Sequence, residues 1–140
     1  MTDSFKIIGS FIKDMSSETP DAQTHVFVRD QISKYQLKID INSNAVKNGI
    51  IEVNVILRFA DPSEVSKKSH FEITYTSIVK INEKISDKKE MEKIILCDVP
   101  NKIYPDLERI FLNLLADSGY PGIKFEKKID FTELYKQRSN

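Results

Sequence analysis

The sequence predicts an α+β fold, strands first and helices after, in a single domain over residues 1–140. Three observations carry that expectation. Up to about residue 81 the chain alternates apolar and polar side chains with the period of two of a half-buried strand, in four separate runs. From about residue 87 the apolar spacing changes to that of helices. Four glycines and five prolines in 140 residues are too few for a disordered or collagen-like chain. A chain of this length buries about two thirds of its unfolded surface around one core.

The first strand is expected over about 5–18. Phe5, Ile7 and Phe11 share one parity and Ile8, Ile12, Asp14, Ser16 and Glu18 the other, so it has apolar character on both faces and should sit against something on each. Residues 19–33 read as a polar crossover loop whose Val26, Phe27 and Val28 need either burial or a ligand. The second strand, about 34–41, sets Tyr35, Leu37, Ile39 and Ile41 against Lys34, Gln36, Lys38 and Asp40. A turn-forming stretch from Asn42 to Gly49 follows. Ile51, Val53, Val55, Leu57 and Phe59 then repeat the period over about 50–59. After the turn signal Asp61-Pro62-Ser63 comes a fourth strand, about 70–81, which forms a long hairpin with the third.

Asp87 and Glu90 have the spacing of a capping pair and open a helix over about 87–96, with Met91, Ile94 and Ile95 on one side. The main helix is expected over about 101–118, proline being tolerated only in its first turn or at a kink, with Gly119 placed to end it. Ile103, Leu107, Ile110, Phe111 and Leu114 form a stripe that Leu112 and Leu115 widen. So wide an arc implies two contacts, the sheet and a second subunit. Asp130 and Glu133 cap a last helix over about 130–138, whose Phe131, Leu134 and Tyr135 make one apolar edge. About nine residues hold no helix alone in water, so this segment must dock on the body.

The inventory of reactive groups is poor, and a non-enzyme is expected. Twenty-one basic and 21 acidic side chains give zero formal net charge, hence no global field towards nucleic acid or an acidic membrane. The lone Cys97 excludes a disulfide framework, and its apolar neighbours suit an inert buried thiol. His25, beside Val26 and Phe27, suits a packed imidazole better than a catalytic base. Phosphate-loop, zinc-protease and nucleophile-elbow motifs are all missing, so no cofactor and no metal is expected. Asp14 and Glu18, four apart on a strand, stand about 13 Å apart on one face, which suits a basic partner better than one bond being broken. No apolar run reaches the roughly 20 residues of a membrane span. The N-terminus lacks the layout of a signal peptide, so a cytoplasmic location is expected.

Several segments together resemble the SecB family of bacterial export chaperones. Phe5-Lys6-Ile7 is followed by Phe11-Ile12-Lys13-Asp14-Met15-Ser16-Ser17-Glu18-Thr19-Pro20-Asp21-Ala22 and then His25-Val26-Phe27. Glu72-Ile73 with Tyr75, Pro100-Asn101 with Ile103-Tyr104-Pro105, Gly119-Tyr120-Pro121, and Ile129-Asp130-Phe131 with Leu134-Tyr135 come in the family's order. The resemblance implies a four-stranded antiparallel sheet with a long helix on one face and a short C-terminal helix, assembled as a homotetramer, a dimer of dimers. It implies an ATP-independent chaperone that binds unfolded precursor proteins and delivers them to SecA. By the same resemblance Asp14, Glu18, His70 and Glu72 would meet SecA. Val26, Phe27, Tyr35, Leu37, Phe131, Leu134 and Tyr135 would line the client groove. Phe71, Ile73 and Tyr75 match positions near the subunit interface, to which the wide arc of the main helix adds Leu112 and Leu115. The chain departs from the family at Gln31 and Ser33, where tryptophan and proline are common, at Thr76-Ser77 in place of a glycine pair, and in its neutral charge. A chaperone devoted to one partner, such as an antitoxin, and a non-chaperone assembly protein are the alternatives.

Overall fold

The computed structural model describes residues 4–63, 65–125 and 129–139, with 138 and 139 as backbone alone. Strands β1 (Phe5–Glu18), β2 (Gln36–Lys47), β3 (Ile50–Ala60) and β4 (His70–Ile81) form one antiparallel sheet in the order β1-β4-β3-β2. The helices are α1 (Ala22–Gln31), α2 (Lys88–Lys93), α3 (Val99–Asp117) and α4 (Phe131–Ser139). The expected architecture of sheet, long helix and short C-terminal helix is therefore present.

One sheet face makes the core. Val53, Val55, Leu57 and Phe59 of β3 and Phe71, Ile73 and Val79 of β4 are all buried, as the alternation dictates. Against them α3 lays Ile103, Leu107, Phe111 and Leu115, an i, i+4 row that is also buried. Each such side chain contributes about 1.5–3 kcal/mol on leaving water. Phe71, Ile73 and Leu115, expected at or near a subunit interface, pack into the chain's own core, at most 1% exposed. Tyr75 is buried too, and Leu112 is half-buried.

Two bulges reshape β1. Its register against β4 slips between Ile7 and Gly9 and again between Ile12 and Asp14. Each one-residue slip moves the side chains that follow to the opposite face. Phe5 and Ile7 therefore face the helices opposite Ile81 and Val79, Phe11 turns outward opposite Thr76, and Ile12 and Met15 turn back opposite Tyr75 and Ile73. The single parity expected for Phe5, Ile7 and Phe11 is broken by the first bulge.

Three other expectations change. The crossover holds a ten-residue helix, α1, where a loop was expected: Asp21 caps it by accepting from the Thr24 N–H at 2.7 Å, while Thr24 and Val28 are buried. β2 runs to Lys47, and only Asn48 and Gly49 turn the chain, with Gly49 at φ +75°. The two helices expected over 87–96 and 101–118 form one run, because a π-turn at Ile94–Asp98 joins α2 to α3. Pro100 sits in the first turn of α3, and Pro105 lies inside it.

Candidate binding surfaces

The register fixes which side chains share the sheet face turned away from α3. Asp14 lies opposite Thr74, Ser16 opposite Glu72, and Glu18 opposite His70, while Glu72 also pairs across to Arg58 of β3. Asp14, Glu18, His70 and Glu72 therefore do share one outer face, at the end of β1 nearest the crossover. Asp14, Glu18 and His70 are exposed and Glu72 is half-exposed. The Arg58 guanidinium donates to Glu72 Oε1 at 2.6 Å and to Asp40 Oδ2 at 2.7 Å, so one cation links two strands' carboxylates. These contacts, Glu72 first, hold the Arg58 pKa above its ordinary value.

Mid-face, a polar ladder closes the sheet. Thr76 donates to Asn54 Oδ1 at 2.6 Å, and Asn54 Nδ2 donates to Asn42 Oδ1 at 2.8 Å. Lys13 reaches across β4 to Glu52 at 3.4 Å, and Asn44 also donates to Glu52. The Asn44 bond is the main cause that lowers the Glu52 carboxyl below its usual value.

On the helix side two grooves open. One, of about 370 Å³, lies between β2 and α4 and is lined by Ile39, Asp40, Ile41, Leu96, Leu134, Tyr135 and Gln137. The other, of about 750 Å³, runs between α3 and the segment leading into α4, lined among others by Tyr104, Leu112, Phe125, Ile129 and Phe131. Behind them stands an aromatic cluster of Tyr35, Phe59, Phe71, Phe111, Tyr120 and Phe125, with ring centroids 5.3–6.4 Å apart. Among the described residues no group of histidine, cysteine and carboxylate side chains could hold a metal.

Residues 1–140 match the family described as SecB, preprotein translocase subunit SecB. This chain belongs to the SecB family. A putative protein-export protein SecB of Pelagibacter ubique is 83% identical over 140 residues, the whole of both chains. The protein-export protein SecB of Methylocella silvestris is 26% identical over 129 residues, 91% of this chain and 78% of its own. Among solved structures, a SecB-like chaperone of Mycobacterium tuberculosis, in complex with a peptide from an antitoxin, superposes with a TM-score of 0.62 over 89% of this chain and 91% of its own. At 11% identity that likeness shows the fold alone. A role as a SecB chaperone in protein export, binding client proteins, follows from the family. Among the described residues no helix is long and apolar enough to cross a membrane.

In this SecB-family chain the expected groove residues divide. Leu134, 44% exposed, and Tyr135 meet Ile39 and Ile41 in the smaller groove, as their helical spacing allows. Phe131 lines the larger groove but is 1% exposed and packs edge-on against Tyr104 at 5.5 Å, so it belongs to the core. Tyr35 is likewise buried, its hydroxyl held by Ser69. Val26, Phe27 and Leu37 line neither groove; Val26 stands exposed on α1. Sequence reasoning missed Ile39, Ile41, Leu96, Phe125 and Ile129. The first two share Leu37's parity on β2, a signal already present in the alternation.

Proposed function

We propose that this SecB-family chain is an ATP-independent holding chaperone that keeps precursor proteins unfolded in the cytoplasm and passes them to SecA. The observation that carries this reading is the open groove between β2 and α4, where Ile39, Ile41, Leu96 and Leu134 form an apolar strip beside Asp40 and Gln137. Leu134, 44% exposed, shares that groove with Ile39, Ile41 and Leu96, on a helix of nine residues that needs tertiary contacts to persist. Unfolded chains differ from folded ones by their exposed apolar side chains, so a groove of this kind takes many sequences weakly and gains affinity by engaging several segments of one chain.

The outer face supplies the second surface of the reading, with Asp14, Glu18, His70 and Glu72 meeting SecA. A homotetramer, a dimer of dimers, is the assembly proposed. Support comes from β1, an edge strand that leaves Ile8, Phe11, Ile12 and Met15 each more than 40% exposed, and from the half-buried Leu112 on α3.

The test is aggregation of a denatured precursor diluted from urea, with and without the chain and without nucleotide, followed by pull-down with SecA. Suppressed aggregation with retention of SecA is the expected result. A chain that suppresses aggregation but retains no SecA would serve a dedicated partner instead, and one that binds no unfolded protein would defeat the reading.

A further inference from the structure

The outer sheet face has a second pole, opposite in sign to the first. Lys6 of β1 lies directly opposite Lys80 of β4, Lys80 opposite Ile50 of β3, and Ile50 opposite Lys47 of β2. One row across the sheet thus carries three lysines, all exposed and none with a carboxylate partner among the described residues. Their partners on β4, Lys80 and Thr74, place Lys6 and Asp14 six residues of regular strand apart, about 20 Å at 3.3 Å per residue. Two like charges directly opposed on a sheet destabilise it, and no carboxylate among the described residues pairs with Lys6 or Lys80 to offset that cost. Between the poles Phe11, opposite Thr76, is 44% exposed. The charges of this face are therefore uneven: three lysines without carboxylates at one end, and at the other Asp14, Glu18, Glu72 and Asp40, partly offset by Arg58 and Lys38, with the polar ladder between.

We propose that the lysine row is a docking pole for an acidic segment of the same protein partner whose basic residues meet Asp14, Glu18 and Glu72. The inference rests on the reading of the outer face as the SecA surface, and it gives that partner a bipolar footprint. A protein with alternating charge matches both poles. A flat anionic membrane laid on this face would attract Lys6, Lys80 and Lys47 and repel the carboxylates of the other pole, so the charge pattern favours protein over lipid.

The experiment compares the wild-type chain with Lys6→Glu and with the double variant Lys6→Glu, Lys80→Glu, each in its native assembly. SecA binding is measured by fluorescence anisotropy at 50 mM and 1 M salt, alongside thermal unfolding. The single change turns an opposed like pair into an opposite pair, so the expected result is equal or higher thermal stability together with about threefold weaker SecA binding at low salt, deepened in the double variant and absent at 1 M salt. Unchanged SecA affinity in both variants overturns the lysine pole while leaving the acidic one standing. If the wild type binds no SecA, the SecA reading falls, and the row is tested with a decaglutamate peptide and with phosphatidylglycerol vesicles. Capture of decaglutamate that Lys6→Glu weakens sustains an acidic protein ligand; capture of vesicles alone, or of neither probe, overturns it.

Discussion

Tyr35 and Ser69 form a closed pair of hydrogen bonds: the Tyr35 hydroxyl donates to the Ser69 carbonyl at 3.1 Å and accepts from the Ser69 N–H at 2.9 Å. The Ser69 hydroxyl bonds in turn to Thr19 Oγ1 at 2.7 Å and to Tyr120 Oη at 3.0 Å. Thr19 precedes the crossover and Tyr35 follows it, so both ends of the segment that carries α1 are pinned on one buried serine. Tyr35→Phe would leave a buried N–H and carbonyl without their partner. A loss of about 1–3 kcal/mol is expected, read from the urea midpoint, together with faster amide exchange across α1. Equal exchange in α1 would show that the pin does not govern the crossover.

A tighter constraint joins the crossover to the end of α3. His25 packs on Tyr120 with the rings tilted by 43° and their centroids 4.8 Å apart, and a Cβ built on Gly119 would fall 2.5 Å from His25 Cε1. Gly119 also sits at φ +100°, where any side chain is strained. Gly119→Ala is expected to cost more than about 2 kcal/mol, and adding His25→Ala should recover the steric part alone. A double-mutant cycle on unfolding free energies reads the coupling; strict additivity would contradict the contact.

Stability should fall at both ends of the pH scale. Hydrogen bonds from Thr24 hold the Asp21 carboxyl below its usual value, and Asn44 and Ser63 do the same for Glu52 and Asp61. A depressed carboxylate adds stability above its unfolded pKa, about 4, and that stability is lost as pH falls through the folded value. Tyr35 and Tyr104 are shifted the other way, chiefly by burial, with the Glu108 charge adding to Tyr104. A raised tyrosine favours the fold below about pH 10, and that contribution disappears as pH rises towards the folded value. Urea midpoints between pH 3 and 11 should trace this dome. Tyr104→Phe should flatten the alkaline limb and, since the buried Tyr104 hydroxyl makes no hydrogen bond of good geometry among the described residues, change stability at neutral pH by less than about 1 kcal/mol.

Alternation alone made β2, β3 and β4 legible, since parity on a strand decides the face; the grouping of Asp14, Glu18, His70 and Glu72 came from the resemblance, with shared parity within each strand to support it. What escaped it depended on partners far along the chain. The bulges in β1 follow from pairing with β4; Gly9, an isolated glycine in a strand pattern, is the local cue to the first, and the second lies in Ile12–Asp14, where the residues give none. α1 has weak amphipathic patterning and is held by Val28 burial, the Asp21 cap and the His25 contact. The wide stripe of α3 points Leu115 towards an interface, while its i, i+4 relation to Phe111 lays it in the same buried row against the sheet. Tyr35 and Phe131 share the parity or spacing of groove residues, and only three-dimensional packing shows them to be core.

Glu72 is engaged by Arg58 before any partner arrives. Arg58→Gln removes that competitor and leaves Asp40 and Glu72 unpaired at the exposed face. Exposed pairs of this kind contribute about 0–1 kcal/mol, so the fold should tolerate the change. SecA binding at low salt should rise by about twofold to fivefold, with the gain vanishing at 1 M salt, where the Debye length is about 3 Å. Weaker binding in Arg58→Gln would mean that the guanidinium itself contacts the partner.

The groove and the core separate at α4, three residues apart. Phe131→Ala empties a site that is 1% exposed and should cost about 3–5 kcal/mol in urea unfolding. Leu134→Asp alters a side chain that is 44% exposed and lines the groove with Ile39 and Ile41, so stability should change by less than about 1 kcal/mol. Client holding should respond in the opposite order: at concentrations where both variants are folded, Leu134→Asp should weaken suppression of precursor aggregation severalfold. A carboxylate set among Ile39, Ile41 and Leu96 must either stay hydrated, which keeps the client's apolar side chains out, or be buried without a partner. If Leu134→Asp holds an unfolded precursor as well as the wild type does, the client lies elsewhere, and the larger groove along Tyr104, Leu112 and Ile129 takes its place.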